Sequence, residues 1–139
     1  MEKINITVEA TINASVQKAW ECWTEPKHIT QWYFASDDWH APFAENDLRI
    51  GGVFVSRMEA KDKSFGFDFG GTYNAVKTHE LISYEINGDN RKVKITFDGD
   101  ANSTKVIETF EAETENPVEM QQAGWQAILN NFKKYVESL

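Results

Sequence analysis

Residues 116–139 read NPVEMQQAGWQAILNNFKKYVESL, which is the longest helical pattern in the chain. Asn116 suits an N-cap, Pro117 suits the first helical position, and Glu119 can close a capping box. An apolar stripe then recurs at helical spacing and consists of Trp125, Leu129, Phe132, Val136 and Leu139. The sequence therefore predicts one helix from about Pro117 to Glu137, with Trp125, Leu129, Phe132 and Val136 mostly buried.

The residues before this helix carry the patterns of β-strands. The clearest strand is Ser64–Thr78, in which Phe65, Phe67, Phe69, Tyr73 and Ala75 share one parity. Asn87-Gly88 and Asp98-Gly99 predict hairpin turns. The other strands of this region are predicted at Leu48–Met58, Leu81–Ile86, Val93–Phe97 and Thr104–Ala112. A sheet that meets its long helix last is expected to curve around that helix, and the space between them can be a cavity.

The amino-terminal third supplies one more strand and two short helices. Ile4–Ile12 alternates apolar and polar residues, which predicts a half-buried strand. Asn13 or Ser15 can cap the first helix, and Pro26 begins the second. Residues 36–47 lack a clear period and are expected to form a loop. The predicted class is α+β, with a meandering antiparallel sheet in one domain over residues 1–139.

Composition and charge exclude several classes of partner. The formal net charge is −8, which disfavours binding to nucleic acid and to anionic membranes. Cys22 is the only cysteine and is expected to be a buried packing residue, so no intramolecular disulfide can form. No apolar run approaches membrane-spanning length, and the first residues lack a signal-peptide core. We expect a cytoplasmic location.

The chain lacks the common signatures of metal and nucleophile chemistry. His28, His40 and His79 are scattered and lie at no metal-ligand spacing. No glycine-rich phosphate loop precedes a helix, and no Ser/His/Asp constellation can be placed. We therefore predict no bound metal and no cofactor, and the sequence assigns no catalytic residue.

Glu108 is the one polar residue that stands out on a predicted inner face. On Thr104–Ala112 the even positions are the more apolar set, and Glu108 belongs to it. A carboxylate on that face needs a donor or becomes protonated. Arg49, Arg57 or a tyrosine hydroxyl are candidate partners. The alternative is that the strand bulges and Glu108 reaches solvent.

Aromatic side chains are the main candidates to line a ligand site. The chain has nine Phe, five Trp and four Tyr, which fits either a large aromatic core or an aromatic-lined pocket. In the pocket interpretation the sheet and the helix line one cavity. The candidate ligand-binding residues are Phe67, Phe69, Tyr73, Tyr84, Phe97, Glu108, Phe110, Met120 and Trp125. In the alternative, these side chains fill the space and leave a dry core.

Several segments together resemble a known family. The segments are Ile12–Trp20, Pro26 with Trp32, Asp47–Phe54, Phe69–Tyr73, Thr104–Glu111 and Gln121–Trp125. In order and spacing they are similar to the activator of heat-shock-protein-90 ATPase homologue-like family, of the START-like, or polyketide cyclase, helix-grip superfamily. The resemblance implies a curved antiparallel sheet gripping a long carboxy-terminal helix around a hydrophobic cavity. It does not imply one reaction, because members of the superfamily bind varied apolar molecules and some catalyse cyclisation or dehydration.

Three functions are compatible with these observations. The first is binding of a small hydrophobic or aromatic ligand between the sheet and the helix. The second is a cyclase or dehydratase that uses Glu108 and a pocket tyrosine as an acid/base pair. The third is a protein-interaction module with a partner of chaperone type. An enclosed cavity favours the first, convergent acid and base groups favour the second, and a large exposed apolar patch favours the third.

Overall fold

A seven-stranded sheet curves around the carboxy-terminal helix in the computed structural model, which describes residues 4–139. All neighbouring strands pair antiparallel, in the order β1-β7-β6-β5-β4-β3-β2. The strands are β1 Asn5–Ile12, β2 Trp39–Asn46, β3 Val53–Ala60, β4 Gly66–Lys77, β5 Leu81–Ile86, β6 Lys92–Gly99 and β7 Thr104–Glu111. The helices are α1 Val16–Thr24, α2 Pro26–Trp32 and α3 Val118–Glu137. The predicted α+β helix-grip fold is confirmed.

The long helix forms as predicted, but its amino-terminal cap differs. Pro117 occupies the N-cap position and no side chain caps the helix, so the predicted Asn116–Glu119 capping box is wrong. Asn116 is held in the preceding loop instead, where its backbone N–H donates to the Glu113 carboxylate at 2.7 Å. Helix α3 continues unbroken through Gly124.

Gln121 joins the first turn of α3 to the loop that follows β7. Its Nε2 donates to the carbonyls of Glu113 and Asn116 at 3.1 and 2.8 Å, and its Oε1 accepts from the Glu113 backbone N–H at 2.9 Å. The Gln121 side chain is buried, as its full set of hydrogen bonds permits. These three bonds fix where the helix starts relative to the sheet.

Residues 36–47 contain a strand that the sequence did not predict. Strand β2 pairs only with β3 and forms one edge of the sheet. Its register shifts between His40 and Phe43, so a bulge removes the regular alternation that marks a strand. Pro42 lies at this irregularity, where the edge of a sheet tolerates a residue without an N–H. The expectation of a loop is wrong for these reasons.

One predicted turn is confirmed and another is displaced. Gly88 has a φ of +102°, which suits the tight turn between β5 and β6. The second turn begins after Gly99, because Gly99 still pairs with Thr104. Asp100 makes that turn, and its carboxylate accepts from the backbone N–H groups of Asn102 and Ser103.

The core lies between the inner face of the sheet and the helices. Leu129, Phe132 and Val136 of α3 are fully buried, whereas Trp125 is half-buried. Cys22 is buried, as predicted, and its carbonyl accepts from Trp32 Nε1 at 2.9 Å. In the described part of the chain, none of the helices has the length and hydropathy needed to span a bilayer.

Candidate functional site

A cavity of about 230 Å³ lies between the sheet and the helices. Strands β3, β4 and β7 contribute to its wall, together with all three helices, the residue after α2 and the β5–β6 turn. The lining residues are Trp23, Trp32, Tyr33, Met58, Phe67, Phe69, Arg91, Glu108, Trp125 and Ile128. Most of this wall is therefore apolar, with two charged side chains.

Five aromatic rings follow one another around the cavity. Ring centroids lie 4.9 Å apart for Trp23 and Trp32, and 5.0 Å apart for Trp32 and Tyr33. The chain of contacts continues from Tyr33 to Phe69 at 5.9 Å and from Phe69 to Trp125 at 6.1 Å. Aromatic pairs favour such tilted and edge-to-face arrangements. The rings form a continuous wall that joins α1, α2, β4 and α3.

Contacts behind the wall hold two of these rings in place. Trp125 stacks on Phe110 of β7, with centroids 3.8 Å apart and planes inclined by 11°. Trp32 donates to the Cys22 carbonyl, and its own carbonyl accepts from Asn131 Nδ2 at 2.8 Å. The wall is therefore preformed rather than dependent on free side-chain rotamers.

Glu108 projects from the inner face of β7 into this apolar wall. Its side chain lies on the face predicted from the alternation of β7, and the residue is only 5% exposed. Among residues 4–139, no side chain or backbone group makes a hydrogen bond or ion pair to the Glu108 carboxylate. Burial raises the pKa of Glu108 to about 8, because the ionised form loses the solvation of water. Glu108 is thus mostly protonated at neutral pH.

The arginines considered as partners of Glu108 pair elsewhere. Arg49 Nε lies 2.9 Å from Asp47 Oδ2, and Arg57 Nε lies 2.9 Å from Glu59 Oε2. Each arginine pairs with an acidic residue two positions away in the sequence. Neither forms the ion pair with Glu108 that the sequence analysis considered.

Two tyrosines are the polar neighbours of Glu108. Burial raises the pKa of Tyr33, and the negative charge of Glu108 raises it further. Burial also raises the pKa of Tyr84 well above its ordinary value, with further contributions from Tyr33 and Glu108. Both hydroxyls keep their protons throughout the neutral range. Of the partners that the sequence suggested, only the tyrosine hydroxyls lie near the carboxyl.

Arg91 lies at the rim of the cavity and is already engaged. Its Nε donates to Asp89 Oδ2 at 2.6 Å, and its Nη1 donates to the Glu111 carbonyl at 3.1 Å. Arg91 also borders an adjoining surface pocket that contains Asp89, Glu113 and Glu115. The rim around the arginine is therefore rich in carboxylates.

The structure brings four of the predicted ligand-binding residues to this cavity, namely Phe67, Phe69, Glu108 and Trp125. Tyr73 and Tyr84 line a separate void of about 20 Å³, which has room for about one water molecule. Trp23 and Tyr33 line both spaces. The Tyr73 hydroxyl donates to Asn46 Oδ1 at 2.6 Å, so its polar group is satisfied within the protein.

The other three predicted residues lie away from the cavity. Phe97 is buried against Trp20 and Trp23, at centroid distances of 5.1 and 5.8 Å. Phe110 lies behind Trp125 and not beside the open space. Met120 is 60% exposed, which corrects its expected position, because Gln121 takes the inward position in the first turn of α3.

Sequence reasoning missed the residues that the short helices contribute. Trp32 and Tyr33 follow Ile29 at helical spacing in the sequence, and this apolar stripe was the available signal. Trp23 likewise follows Val16 and Ala19 at helical spacing in α1. Met58, Arg91 and Ile128 carried no sequence signal of their own.

Within residues 4–139, no three His, Cys, Asp or Glu side chains are grouped so that they could hold a metal ion. The expectation of no metal and no cofactor stays a prediction. Elemental analysis of the purified protein for stoichiometric zinc tests it.

Comparison with known proteins identifies the family. The family model described as Activator of Hsp90 ATPase homolog 1-like protein matches residues 13–137. The chain is 43% identical to an AHSA1-like protein from Aeromonas hydrophila, covering 97% of this chain and 93% of that one at a TM-score of 0.90. It is 53% identical to a protein of known solution structure from Cytophaga hutchinsonii, covering 96% and 92% at a TM-score of 0.82.

More distant structures share the fold alone. A crystal structure from Nitrosomonas europaea superimposes with a TM-score of 0.82 at 15% identity, covering 97% of this chain and 95% of that one. Among curated proteins, no relative matches the chain. The family match spans nearly the whole sequence and agrees with the curved sheet, the two short helices and the gripped α3. The chain therefore belongs to the Activator of Hsp90 ATPase homolog 1-like family.

Proposed function

We propose that this protein binds a small, mostly apolar molecule in the cavity between the sheet and α3. The observation that carries this proposal is the continuous wall of five rings around one unpaired acid. Ligand sites typically combine an apolar lining with a few polar groups that orient the ligand. Here Glu108 is the orienting group.

The size of the cavity limits the ligand. A cavity on the order of 150 Å³ accommodates benzene, whereas pockets for drug-sized molecules begin at about 300 Å³. At about 230 Å³, this cavity lies between these values. The proposed ligand is therefore about the size of one substituted ring.

Native mass spectrometry of the protein, purified without refolding, tests the proposal directly. We expect a co-purifying small molecule that is released on denaturation. A second arm uses Phe69→Trp, in which the larger ring occupies the cavity. We expect this variant to lose the co-purifying molecule and to weaken binding of an environment-sensitive apolar dye, while its circular dichroism spectrum is retained.

The matched control is Phe43→Trp on the edge strand β2. Phe43 is exposed and does not line the cavity, so this variant makes the same chemical change outside the proposed site. It should bind as the wild type does. Equal dye binding by wild type and Phe69→Trp, with no co-purifying molecule, would favour the plain-core interpretation.

Acid–base catalysis is a second candidate function, and the grouping of Glu108 with Tyr33 favours it. Glu108 has a pKa of about 8, so it can hold or release a proton near neutral pH. Tyr33 retains its proton and can hydrogen-bond to a substrate oxygen. If the protein is a dehydratase, the bound molecule loses one water in wild type and remains intact in Glu108→Gln, as mass spectrometry would detect.

Association with a chaperone is a third candidate, suggested by the description of the family and by an exposed aromatic cluster. Trp39, Phe65 and Phe67 have ring centroids about 6 Å apart, and Phe65 is 61% exposed. Exposed apolar patches often mark protein contacts. If the cluster is such a contact, the protein raises the ATPase rate of an Hsp90 chaperone, and Phe65→Ser reduces the effect.

A cytoplasmic location stays a prediction of the sequence.

A further inference from the structure

We propose that the ligand of this cavity is an organic cation, an ammonium group on a small apolar body, with Glu108 as its counter-charge. This inference rests on the proposed binding function and adds the chemical class of the ligand. Three observations support it, namely the missing partner of Glu108, the aromatic lining of the cavity and the acidic residues near its rim.

Glu108 is buried without a partner in the described part of the chain. Buried carboxyl groups in folded proteins are nearly always hydrogen-bonded or paired, because an unpartnered polar group costs free energy. Glu108 is 95% buried, lines the cavity and has no hydrogen-bond or ion-pair partner among residues 4–139. A donor or cation within the cavity would supply this partner.

The lining of the cavity is largely aromatic. The faces of Trp, Tyr and Phe rings carry partial negative charge and attract cations, and Trp does so most strongly. Three of the six aromatic residues that line the cavity are Trp, and the others are Tyr33, Phe67 and Phe69. Rings of this kind, lining a small and partly open space, suit an alkylammonium group.

Acidic residues lie near the rim of the cavity. Arg91 is the one cationic residue that lines the cavity within the described range, and its guanidinium is paired with Asp89. Glu113 and Glu115 border the adjoining pocket, and the whole chain carries a net charge of −8. A cation therefore meets a favourable potential on its approach, whereas an anion does not.

The inference predicts proton release on binding. The titratable groups near Glu108 are Tyr33 and Tyr84, which stay neutral, and the paired Arg91 at the rim. The free protein holds a proton on Glu108 below pH 8. A permanent cation binds the ionised form, so its affinity rises about tenfold per pH unit below that pKa and levels off above it. Between pH 6 and pH 8 the expected rise is about 50-fold.

The experiment uses phenyltrimethylammonium and its neutral isostere tert-butylbenzene, titrated by NMR at pH 6, 7 and 8. The two probes differ in charge and hardly in shape, and neither titrates. Wild type should bind the cation about tenfold or more tightly than the isostere at pH 8. The Glu108→Gln variant should lose the pH dependence and most of this preference, keep only the part that the aromatic rings supply, and still bind the isostere.

The matched control is Glu9→Gln, which removes a carboxylate from the exposed face of β1 and should behave as wild type. If the isostere binds wild type as tightly as the cation does, the inferred ligand class is overturned while the binding function stands. If neither probe binds and no molecule co-purifies, both proposals fail. A cation preference in Glu108→Gln that is as large and as pH-dependent as in wild type would also overturn the role assigned to Glu108.

Discussion

The two halves of α3 meet the same sheet with different results. In the carboxy-terminal half, Phe132 is fully buried and packs edge-on against Trp23 and Trp32 at 4.9 and 4.7 Å. In the amino-terminal half, Trp125 and Ile128 are half-buried and border the cavity. One helix thus provides a packed end, centred on Phe132, and a cavity end, centred on Trp125.

This difference separates a tightly packed region from a region with open space along one interface between helix and sheet. Side chains at the packed end fill the space between helix and sheet, as protein interiors normally require. At the cavity end, the stacked Phe110–Trp125 pair and the linked rings leave a space that no side chain fills. The following predictions test whether the two ends differ in this way.

The largest expected effect is at the packed end. Phe132→Ala should lower the free energy of unfolding by about 3–5 kcal/mol, because it opens a void beside the fully buried Trp32. Phe69→Ala should cost about 1–2 kcal/mol, since Phe69 is only partly buried beside an existing space. Urea unfolding of both variants measures the contrast. Equal losses would mean that the cavity end is packed as tightly as the other.

The next effect is the pH dependence of stability contributed by Glu108. Its pKa is about 8 in the folded protein against an ordinary value of 4.5, so the folded state binds the extra proton. The resulting loss of stability is nearly absent below pH 4.5, grows as the pH rises and is complete above pH 8. Glu108→Gln removes it, and the variant should gain about 3 kcal/mol relative to wild type between pH 5 and pH 8.

Denaturant unfolding at several pH values measures this gain, with Glu9→Gln as the control for loss of a surface carboxylate. A constant difference between Glu108→Gln and wild type across the range would show that the carboxyl is solvated.

The smallest predicted effect concerns Gly124 at the cavity end. A glycine inside a helix can mark a close approach to the sheet, but a Cβ built at Gly124 meets nothing within 4 Å. Gly124→Ala should therefore stabilise the protein by about 0.5–1 kcal/mol through helix propensity alone. The reverse change at the exposed Ala123 should destabilise it by a similar amount. Thermal unfolding of both variants checks the pair, and a loss at Gly124 would indicate a tight approach.

Much of the fold could be predicted because apolar residues recur at helical spacing in α3 and alternate with polar residues along the strands. The stripe of α3 and the alternation on β7, which places Glu108 inward, each identify a face that must be covered. Strand β2 escaped prediction since its bulge and Pro42 erase the alternation. The edge position explains why the chain tolerates that irregular segment.

The candidate site could be predicted only in part, because its wall is assembled from distant segments. Phe67 and Phe69 were evident from their strand. Trp23 and Tyr33 reach the same space from short helices, whose orientation over the sheet no local pattern specifies. Met120 was misplaced because the apolar stripe of α3 continues back from Trp125 to Gln121, four residues earlier, and leaves Met120 outside it.

The Gln121 hydrogen bonds have a consequence for how this family can diversify. By tying α3 to the segment after β7, they make residues 112–117 a spacer that sets the gap at the cavity end. The packed end does not depend on that spacer. We expect insertions or deletions there to change the volume of the cavity and to leave the packed end intact. On the proposed binding function, the length of this one loop would then set the size of the ligand.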